Sequence, residues 1–279
     1  MSPSALTPQP SIAANLLQGI ARRSRKVVNQ GRALASFIFA NPGLGKRSEL
    51  RAYRQKDLYL EPYTVLNPLV SVCIATYNRG NLLFERSVAS VLAQTYTNYE
   101  IIVVGDHCTD DTASRMAAIS DPRLRFVNLP QRGDYPEDNV HRWMVAGTTP
   151  MNHALGLARG HFITHLDDDD EYTPDRLSKL VEFLQLTRAE LAWHPFEAEQ
   201  SNGSWQRNLA REFQYASVST SSVMYHRWFA QVLWDIRSYR FEQPGDWNRF
   251  RRFKFLGVKA LRHPESLLMH FRERAQHQE

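Results

Sequence analysis

The chain has 279 residues with 43% apolar and 11% aromatic side chains, enough to fill the core of one large domain with an appendage. Charged residues make up 23%, which excludes a highly charged disordered chain. Two cysteines, Cys73 and Cys108, exclude a disulfide framework and a cysteine-ligated zinc site, and a reducing compartment is the simpler setting.

The net charge of +5 is unevenly placed: residues 1–60 hold ten Lys/Arg against Glu49 and Asp57, a local balance of +8, so the rest sums to −3. A basic segment on a slightly acidic body argues against a nucleic-acid enzyme, whose basic residues spread through the core. The longest apolar run, near residues 33–40, is far short of the ~20 residues that span a bilayer. Residues 1–10 are uncharged, so they lack the basic start of a secretory signal. These features predict a cytoplasmic protein.

Residues 1–10, rich in Pro, Ser and Thr, read as disordered. Residues 11–40 read as one or two amphipathic helices, with Ile12, Leu16, Leu17, Ile20, Val27 and Val28 apolar and Arg22, Arg23, Arg25 and Lys26 basic. Asn41-Pro42-Gly43 stops the helix, and residues 42–66 read as a polar, basic connector. The basic stretch 12–32 suits the inner face of an anionic membrane; a partner-binding helix and a helix packed on the main domain are the competing readings.

Residues 69–76 (LVSVCIAT) then form a short β-branched run, the pattern of a buried parallel strand. A helix over 82–93, a strand over 100–104, a helix over 109–119 and a strand over 123–129 follow. A helix over 150–158 and a strand over 161–166 complete the series. Thr173-Pro174 reads as the N-cap and first position of a helix whose apolar stripe is Leu177, Leu180, Val181 and Leu184. This alternation predicts an α/β domain with a mostly parallel sheet flanked by helices. Beyond it, 191–196 and 217–225 read as strands, Asn202-Gly203 as a hairpin turn and 246–255 as a helix.

The strand over 161–166 runs straight into Asp167-Asp168-Asp169-Asp170. In an open α/β sheet, ligands bind at the carboxyl ends of the strands. Adjacent carboxylates there raise one another's pKa unless a cation neutralises them. A hard divalent ion, Mg²⁺ or Mn²⁺, does so and bridges a pyrophosphate as well. The alternative is a solvated acidic turn that favours the dipole of the next helix.

Residues 162–176 (FITHLDDDDEYTPDR) resemble the DXD region of glycosyltransferase family 2. Residues 70–78 (VSVCIATYN) are similar to its opening strand and nucleotide loop, and 99–112 (YEIIVVGDHCTDDT) to its second strand and acidic turn. Residues 152–160 (NHALGLARG) match its small-residue helix in part. The resemblance spans roughly residues 67–271. It implies a GT-A type fold divided into a basic extension (1–66) and a catalytic domain (67–279), with a nucleotide-binding half (67–170) and a mixed acceptor half (171–279).

It further implies an inverting transfer of a sugar from a nucleotide diphosphate donor, of the UDP kind, to a glycan or lipid-linked hydroxyl with Mn²⁺ or Mg²⁺. Thr76, Tyr77 and Asn78 would line the base pocket and Asp106 would accept from a uracil-type N3–H. Gly105 and His107 depart from the family pattern, which has Asp and Gly there. Asp110 and Asp111 read either as part of this turn or as caps of the following helix. Asp167 would face the ribose, Asp168 would stand beside the donor and Asp169 would ligate the metal. Asp246, in the place of the family's acidic pair, would be the base, with Glu242 and Asp235 as alternatives, or else an N-cap. Gly245 stands where the pair's other acid is usual.

His270 matches a late metal or diphosphate contact. His153 and His165 read as surface or packing residues. Trp143, Trp193, Trp205, Trp228 and Trp247 are core or sugar-stacking rings. The long segment 131–149 at the active edge is expected to border the sugar or acceptor site as a lid. The competing classes are a nucleotidyltransferase, disfavoured by the lack of a Gly-rich basic loop after the first strand, and an inactive nucleotide-sugar-binding module.

Overall fold

The computed structural model describes residues 12–40 and 43–272; the expected disorder of residues 1–10 and the break at Asn41-Pro42 lie outside them. The first helix, α1 (Ile12–Ala40), is continuous. Its buried stripe is Asn29, Ala33 and Phe37, spaced four residues apart as one helical face requires. The side chains of Ile12, Leu16, Leu17, Arg22 and Lys26 lie outside the described residues.

The expected connector is instead helical. It contains α2 (Gly43–Tyr53), α3 (Asp57–Leu60) and a 3₁₀ turn, Glu61–Tyr63. Its few apolar side chains explain this. Leu50, Tyr59 and Tyr63 are buried, and the Tyr63 ring stacks on His226 and meets Phe162 edge-on. Arg54 forks onto the fully buried Glu190 carboxylate at 2.6 and 2.7 Å, and Tyr59 donates to the same group.

The main sheet begins with β1 (Val70–Thr76). Next, α4 (Gly80–Leu82), a π turn (Leu83–Val88) and α5 (Ala89–Leu92) make one helical segment. Then come β2 (Tyr99–Gly105), α6 (Thr112–Ala117), β3 (Leu124–Asn128), α7 (Asn139–Val145), α8 (Thr148–Leu157) and β4 (Phe162–His165). β1 pairs in parallel with β2 and β4, and β2 with β3. β1, β2 and β4 are buried almost throughout, as the continuous apolar runs require; β3 is the half-exposed edge.

After the aspartate run the chain makes β5 (Glu171–Tyr172), α9 (Arg176–Thr187), β6 (Leu191–Trp193), β7 (Phe196–Glu199), β8 (Trp205–Asn208) and β9 (Val223–His226). It ends with α10 (Gly245–Leu256), β10 (Ala260–Arg262) and β11 (Leu268–His270). The seven-stranded sheet runs β10-β6-β9-β4-β1-β2-β3, with β9 antiparallel to both its neighbours. A second sheet runs β5-β11-β7-β8.

Three local expectations are corrected. The strand expected over 191–196 is two strands in different sheets, because Pro195 lacks the N–H that would continue the ladder. Thr173 does not cap α9: Asp175 stands at the N-cap, and the Thr173 hydroxyl donates to its carboxylate. Residues 220–222 form a 3₁₀ turn, so the strand expected from 217 begins at Val223. The stripe Leu177, Leu180, Val181 and Leu184 is buried, and residues 200–204 close the β7–β8 hairpin with Gly203 at φ 79°.

Candidate nucleotide and metal site

The carboxyl ends of β1, β2 and β4 form one edge, and the expected site residues gather there. Thr76, at the end of β1, is buried and donates from Oγ1 to Asp168 Oδ2 at 2.7 Å. Asp106, just past β2, is also buried. Its N–H donates to Thr76 O, its Oδ1 accepts from Gly133 N at 3.0 Å, and Arg132 stands 3.9 Å from its other oxygen. Arg132 lies over the Tyr77 ring at 3.6 Å, so ring and guanidinium already form a stack at the mouth of the turn. Asn78 sits at φ 50° and clasps Thr109 through both amide atoms.

The departures at Gly105 and His107 have a physical account. His107 adopts φ 62°, in the left-handed region that favours glycine, so this turn carries strain there. At Gly105 a Cβ would come within 2.6 Å of Asn128 Oδ1. The Asn128 side chain, reaching over from β3, accepts from Cys108 N and donates to Cys108 O. An amide from the neighbouring strand thus braces the turn where the family pattern has its own aspartate. Asp110 accepts from Thr112 N, whereas Asp111 stands at the N-cap of α6 without a side-chain cap bond and pairs with Arg115.

The aspartate run is the turn between the two sheets. β5 pairs antiparallel with β11, Leu268 facing Tyr172, and this register carries His270 to Asp170. His270 Nδ1 lies 2.9 and 3.0 Å from the two Asp170 oxygens, and Phe271 N donates to Oδ1. Asp167, Asp170 and His270 each offer a ligand atom, and these atoms lie within 4.8 Å of one another. Asp169 is not in that cluster: its carboxylate meets Arg79 Nη1 at 3.0 Å, and Arg79 also reaches Asp168 at 3.2 Å. Ser87 donates to Asp167 O and Asp170 O, and Arg86 to Asp169 O, so the π turn holds the loop's backbone.

The electrostatics match a crowded cation site. Burial first, then the charges of Asp170 and Asp169, push the Asp167 carboxyl well above its usual range. Burial and the neighbouring Asp168 raise Asp169 to about 6. Asp168 is raised by burial, against the opposing pull of Arg79 and Thr76. For His270, burial favours the neutral ring, but the hydrogen bond to Asp170 and the surrounding carboxylates outweigh it and raise the imidazole to about 9. Two carboxylates and an imidazole, with repelling charge to neutralise, fit a divalent cation of the Mn²⁺ kind.

Asp246 is not the N-cap of α10. Pro244 holds that place, and Asp246 lies in the first turn, its Oδ1 accepting from Trp247 N at 2.5 Å. Burial, partly opposed by that bond, raises its carboxyl to about 6. Gly245 packs 3.4 Å from Met144 O and 3.7 Å from the Thr148 hydroxyl, measured from an added Cβ, which places the helix start beside segment 131–149. Glu242 is exposed at φ 54°, and Asp235 pairs with Arg237. Segment 131–149 carries α7 and is pinned at Gly133 by Asp106, at Arg142 by Pro136 O and at Asp138 by the helix cap.

His165 is fully buried and half of a pair with Tyr225, and His153 is exposed, as expected of packing and surface residues. Trp193 and Trp228 are core rings; Trp143 and Trp205 are exposed, and Trp247 is half-buried. Arg79, Arg86, Ser87, Arg132 and Asn128 escaped sequence reasoning. Their only signal was basic and polar residues on loops next to strand ends.

A mixed seven-stranded sheet with helices on its faces and a carboxylate turn at the end of β4 defines the GT-A class of α/β protein. The glycosyl transferase family 2 model matches residues 71–139 and 147–262, and the chain belongs to that family. The break in the match covers residues 140–146, most of α7.

Among curated relatives, the chain is 34% identical to the succinoglycan biosynthesis protein ExoO of Rhizobium meliloti over 126 residues, 45% of this chain and 32% of ExoO. It is 26% identical to the UDP-Glc:alpha-D-GlcNAc-diphosphoundecaprenol beta-1,3-glucosyltransferase WfaP of Escherichia coli over 166 residues, 57% of this chain and 61% of WfaP. Both matches leave much of the relative uncovered.

Two solved structures share the fold. S. aureus TarS 1–349 in complex with UDP-GlcNAc aligns at TM-score 0.60 and 16% identity, over 75% of this chain and 60% of that one. The mannosyltransferase PcManGT from Pyrobaculum calidifontis, in complex with GDP-Man and Mn²⁺, aligns at TM-score 0.53 and 16% identity, over 91% and 69%.

Proposed function

We propose that this protein transfers a sugar, with inversion, from a nucleoside diphosphate donor of the UDP type to a hydroxyl of a glycan or lipid-linked acceptor. The observation that carries this reading is the meeting of Asp167, Asp170 and His270 beside Asp168 and Asp169, at the end of the same strand edge that holds Thr76 and Asp106. The UDP-GlcNAc complex of TarS and the diphosphoundecaprenol-linked acceptor in the name of WfaP support the donor and acceptor classes.

In this reading Asp106, Thr76, Tyr77 and Asn78 form the base and ribose side, with Arg132 stacked on Tyr77 as part of the wall. Asp167 and Asp168 face the sugar-nucleotide. Asp167, Asp170 and His270 would hold a divalent cation, and Asp169 would join them as Arg79 turns to the diphosphate. When bound, that cation supplies Lewis-acid neutralisation of the departing diphosphate. Asp246 takes the proton from the acceptor hydroxyl. The hydroxyl oxygen bonds to the anomeric carbon on the face opposite the leaving group, and the electron pair of the broken C–O bond leaves on the diphosphate. A carboxyl raised to about 6 suits a base working near neutrality.

Among the described residues, no helix is long and apolar enough to cross a membrane. The outer face of α1 presents Ile20, Val27 and Val28 among Arg23, Arg25 and Arg32, which supports peripheral contact of residues 12–32 with an anionic surface.

The test is release of nucleoside diphosphate from a panel of nucleotide sugars, with and without Mn²⁺. Metal-dependent release that is lost in Asp169→Ala and Asp167→Ala supports the proposal. Pyrophosphate release points to a nucleotidyltransferase, and the absence of nucleotide binding with metal present rejects both.

A further inference from the structure

Arg176, at the start of α9, is fully buried, yet none of its hydrogen bonds among the described residues goes to a carboxylate. Its Nε donates to His194 Nε2 at 3.0 Å, and its Nη2 donates to Ser221 O at 2.8 Å and Val223 O at 3.2 Å. Its Nη1 finds no partner among the described residues. The guanidinium lies over the Tyr172 ring, 3.8 Å from its centroid. Burial, with the Arg176 charge added to it, holds the His194 imidazole well below its usual range. The ring is therefore neutral: Nδ1 donates to Pro195 O and Nε2 accepts from the guanidinium. Taking a cation out of water with only neutral partners is costly, and a packed apolar side chain of similar volume avoids that cost. What only a guanidinium offers is a set of donors in a fixed planar fork, able to hold several acceptors in one geometry.

The groups it holds lead to the aspartate run. β4 and β9 are antiparallel with Thr164 opposite Met224, so the residues just past β4 come beside the 3₁₀ turn over 220–222. There Ser221, whose carbonyl Arg176 fixes, accepts at its hydroxyl from Asp167 N at 3.0 Å. Thr164 Oγ1 donates to Val223 O, the second carbonyl under the fork. At the far end of the run, Tyr172 lies beneath the guanidinium. Its hydroxyl donates to His165 O at 2.5 Å and its N–H to Ser90 Oγ at 3.2 Å. Both ends of the turn that carries Asp167 and Asp170 thus rest on Arg176. The ligand atoms of Asp167, Asp170 and His270 lie within 4.8 Å of one another. Metal–ligand distances tolerate only about 0.2 Å, so a small drift of the Asp167 backbone spoils such a shell.

We infer that Arg176 is a positioning residue for the cation site: through Ser221 and Tyr172 it sets the backbone that aims Asp167 at the metal. The inference rests on reading Asp167, Asp170 and His270 as that site. Being fully buried, Arg176 touches neither metal nor donor. That separates it from Arg79, which meets the carboxylates of Asp168 and Asp169 directly. Replacing groups that orient metal ligands costs about 10–100-fold in metal affinity.

The experiment is Mn²⁺ titration of the full chain, read by the EPR of free and bound Mn²⁺, beside urea unfolding and UDP binding without metal. Arg176→Met should lower Mn²⁺ affinity by about tenfold or more. Ser221→Ala, which removes only the hydroxyl that Asp167 N meets, should lower it about threefold, the worth of one modest hydrogen bond. It guards against Arg176→Met failing to fold. Leu180→Ala opens a cavity under the same helix and carries none of these bonds, so it should lose stability and keep its Mn²⁺ affinity. UDP affinity should hold in every variant. Mn²⁺ affinity that falls in Leu180→Ala as well, or that holds in both Arg176→Met and Ser221→Ala, overturns the inference while leaving the cation site in place. An unaltered chain that binds no Mn²⁺ rejects the cation site itself, and the inference with it. Mn²⁺ affinity that follows Arg176 and Ser221 while UDP fails to bind retains the inference and rejects the donor reading alone.

Discussion

His270 and Asp170, one hundred positions apart, meet with the imidazole Nδ1 2.9 Å from the carboxylate, and with Asp167 they form the cluster proposed to hold a cation. Replacement of either partner should therefore weaken metal binding before it harms the fold of the nucleotide side. His270→Ala is expected to lower Mn²⁺ affinity by at least about tenfold, with Asp170→Asn similar or worse. Titration calorimetry or the Mn²⁺ EPR signal reads this directly. Unchanged affinity in both variants would remove His270 and Asp170 from the site.

Asp246 sets a pH expectation. Burial raises its carboxyl to about 6, and a base acts only when deprotonated, so kcat/KM should rise through about pH 6 and fall away below it. Asp246→Asn should cost about 10²–10⁴ in kcat and abolish that limb of the profile. Donor affinity should be held. Equal loss of donor binding and turnover would reject the assignment.

The N-terminal helices are tied down by a buried charge. Glu190 is fully buried and accepts from Arg54, Tyr59 and Lys259 N. Burial favours its protonated form, but these bonds outweigh it and hold the carboxyl below its ordinary value. The linkage sign follows: the pair stabilises the fold at neutral pH, and that contribution is lost as pH falls through the depressed value. Glu190→Gln leaves Arg54 without its counter-charge and should cost roughly 3 kcal/mol, the lower end for a broken buried pair because Arg54 keeps some solvent. Urea unfolding at pH 7 would measure the difference.

The Gly105–Asn128 exchange can be tested by reversal. Gly105→Asp alone forces a Cβ against Asn128 and should destabilise by about 1–3 kcal/mol. Adding Asn128→Ala removes the clash and lets an aspartate brace the turn, so the double variant should recover most of that loss. Additive losses in thermal or urea unfolding would show that the two positions are not coupled.

Peripheral membrane contact is testable by flotation with vesicles of neutral phosphatidylcholine or of phosphatidylcholine with phosphatidylglycerol. Binding should need the anionic lipid, weaken with salt, and fall in Val27→Asp/Val28→Asp. Both residues are exposed, so folding should be unaffected. Equal recovery with neutral vesicles, or none with either, rejects the membrane reading.

Local pattern carried much of this protein. The β-branched runs read as strands over 69–76, 100–104 and 161–166 are β1, β2 and β4 of the parallel sheet, and the aspartate run lies past the carboxyl end of the last of them. Asp106 and Thr76 came from the family resemblance, and the parallel pairing of β1 with β2 makes them neighbours in space. What local pattern does not encode is which distant segment completes a site. The β5–β11 register brought His270 to Asp170, while Asp169, the expected metal ligand, was drawn to Arg79. Likewise Asn128 reached Gly105 from an adjoining strand, and a segment read as a connector became helical because Leu50, Tyr59 and Tyr63 found a core that only the folded sheet provides. Periodicity fixes which face of an element is apolar, but the partner that covers it is decided by packing across the whole chain.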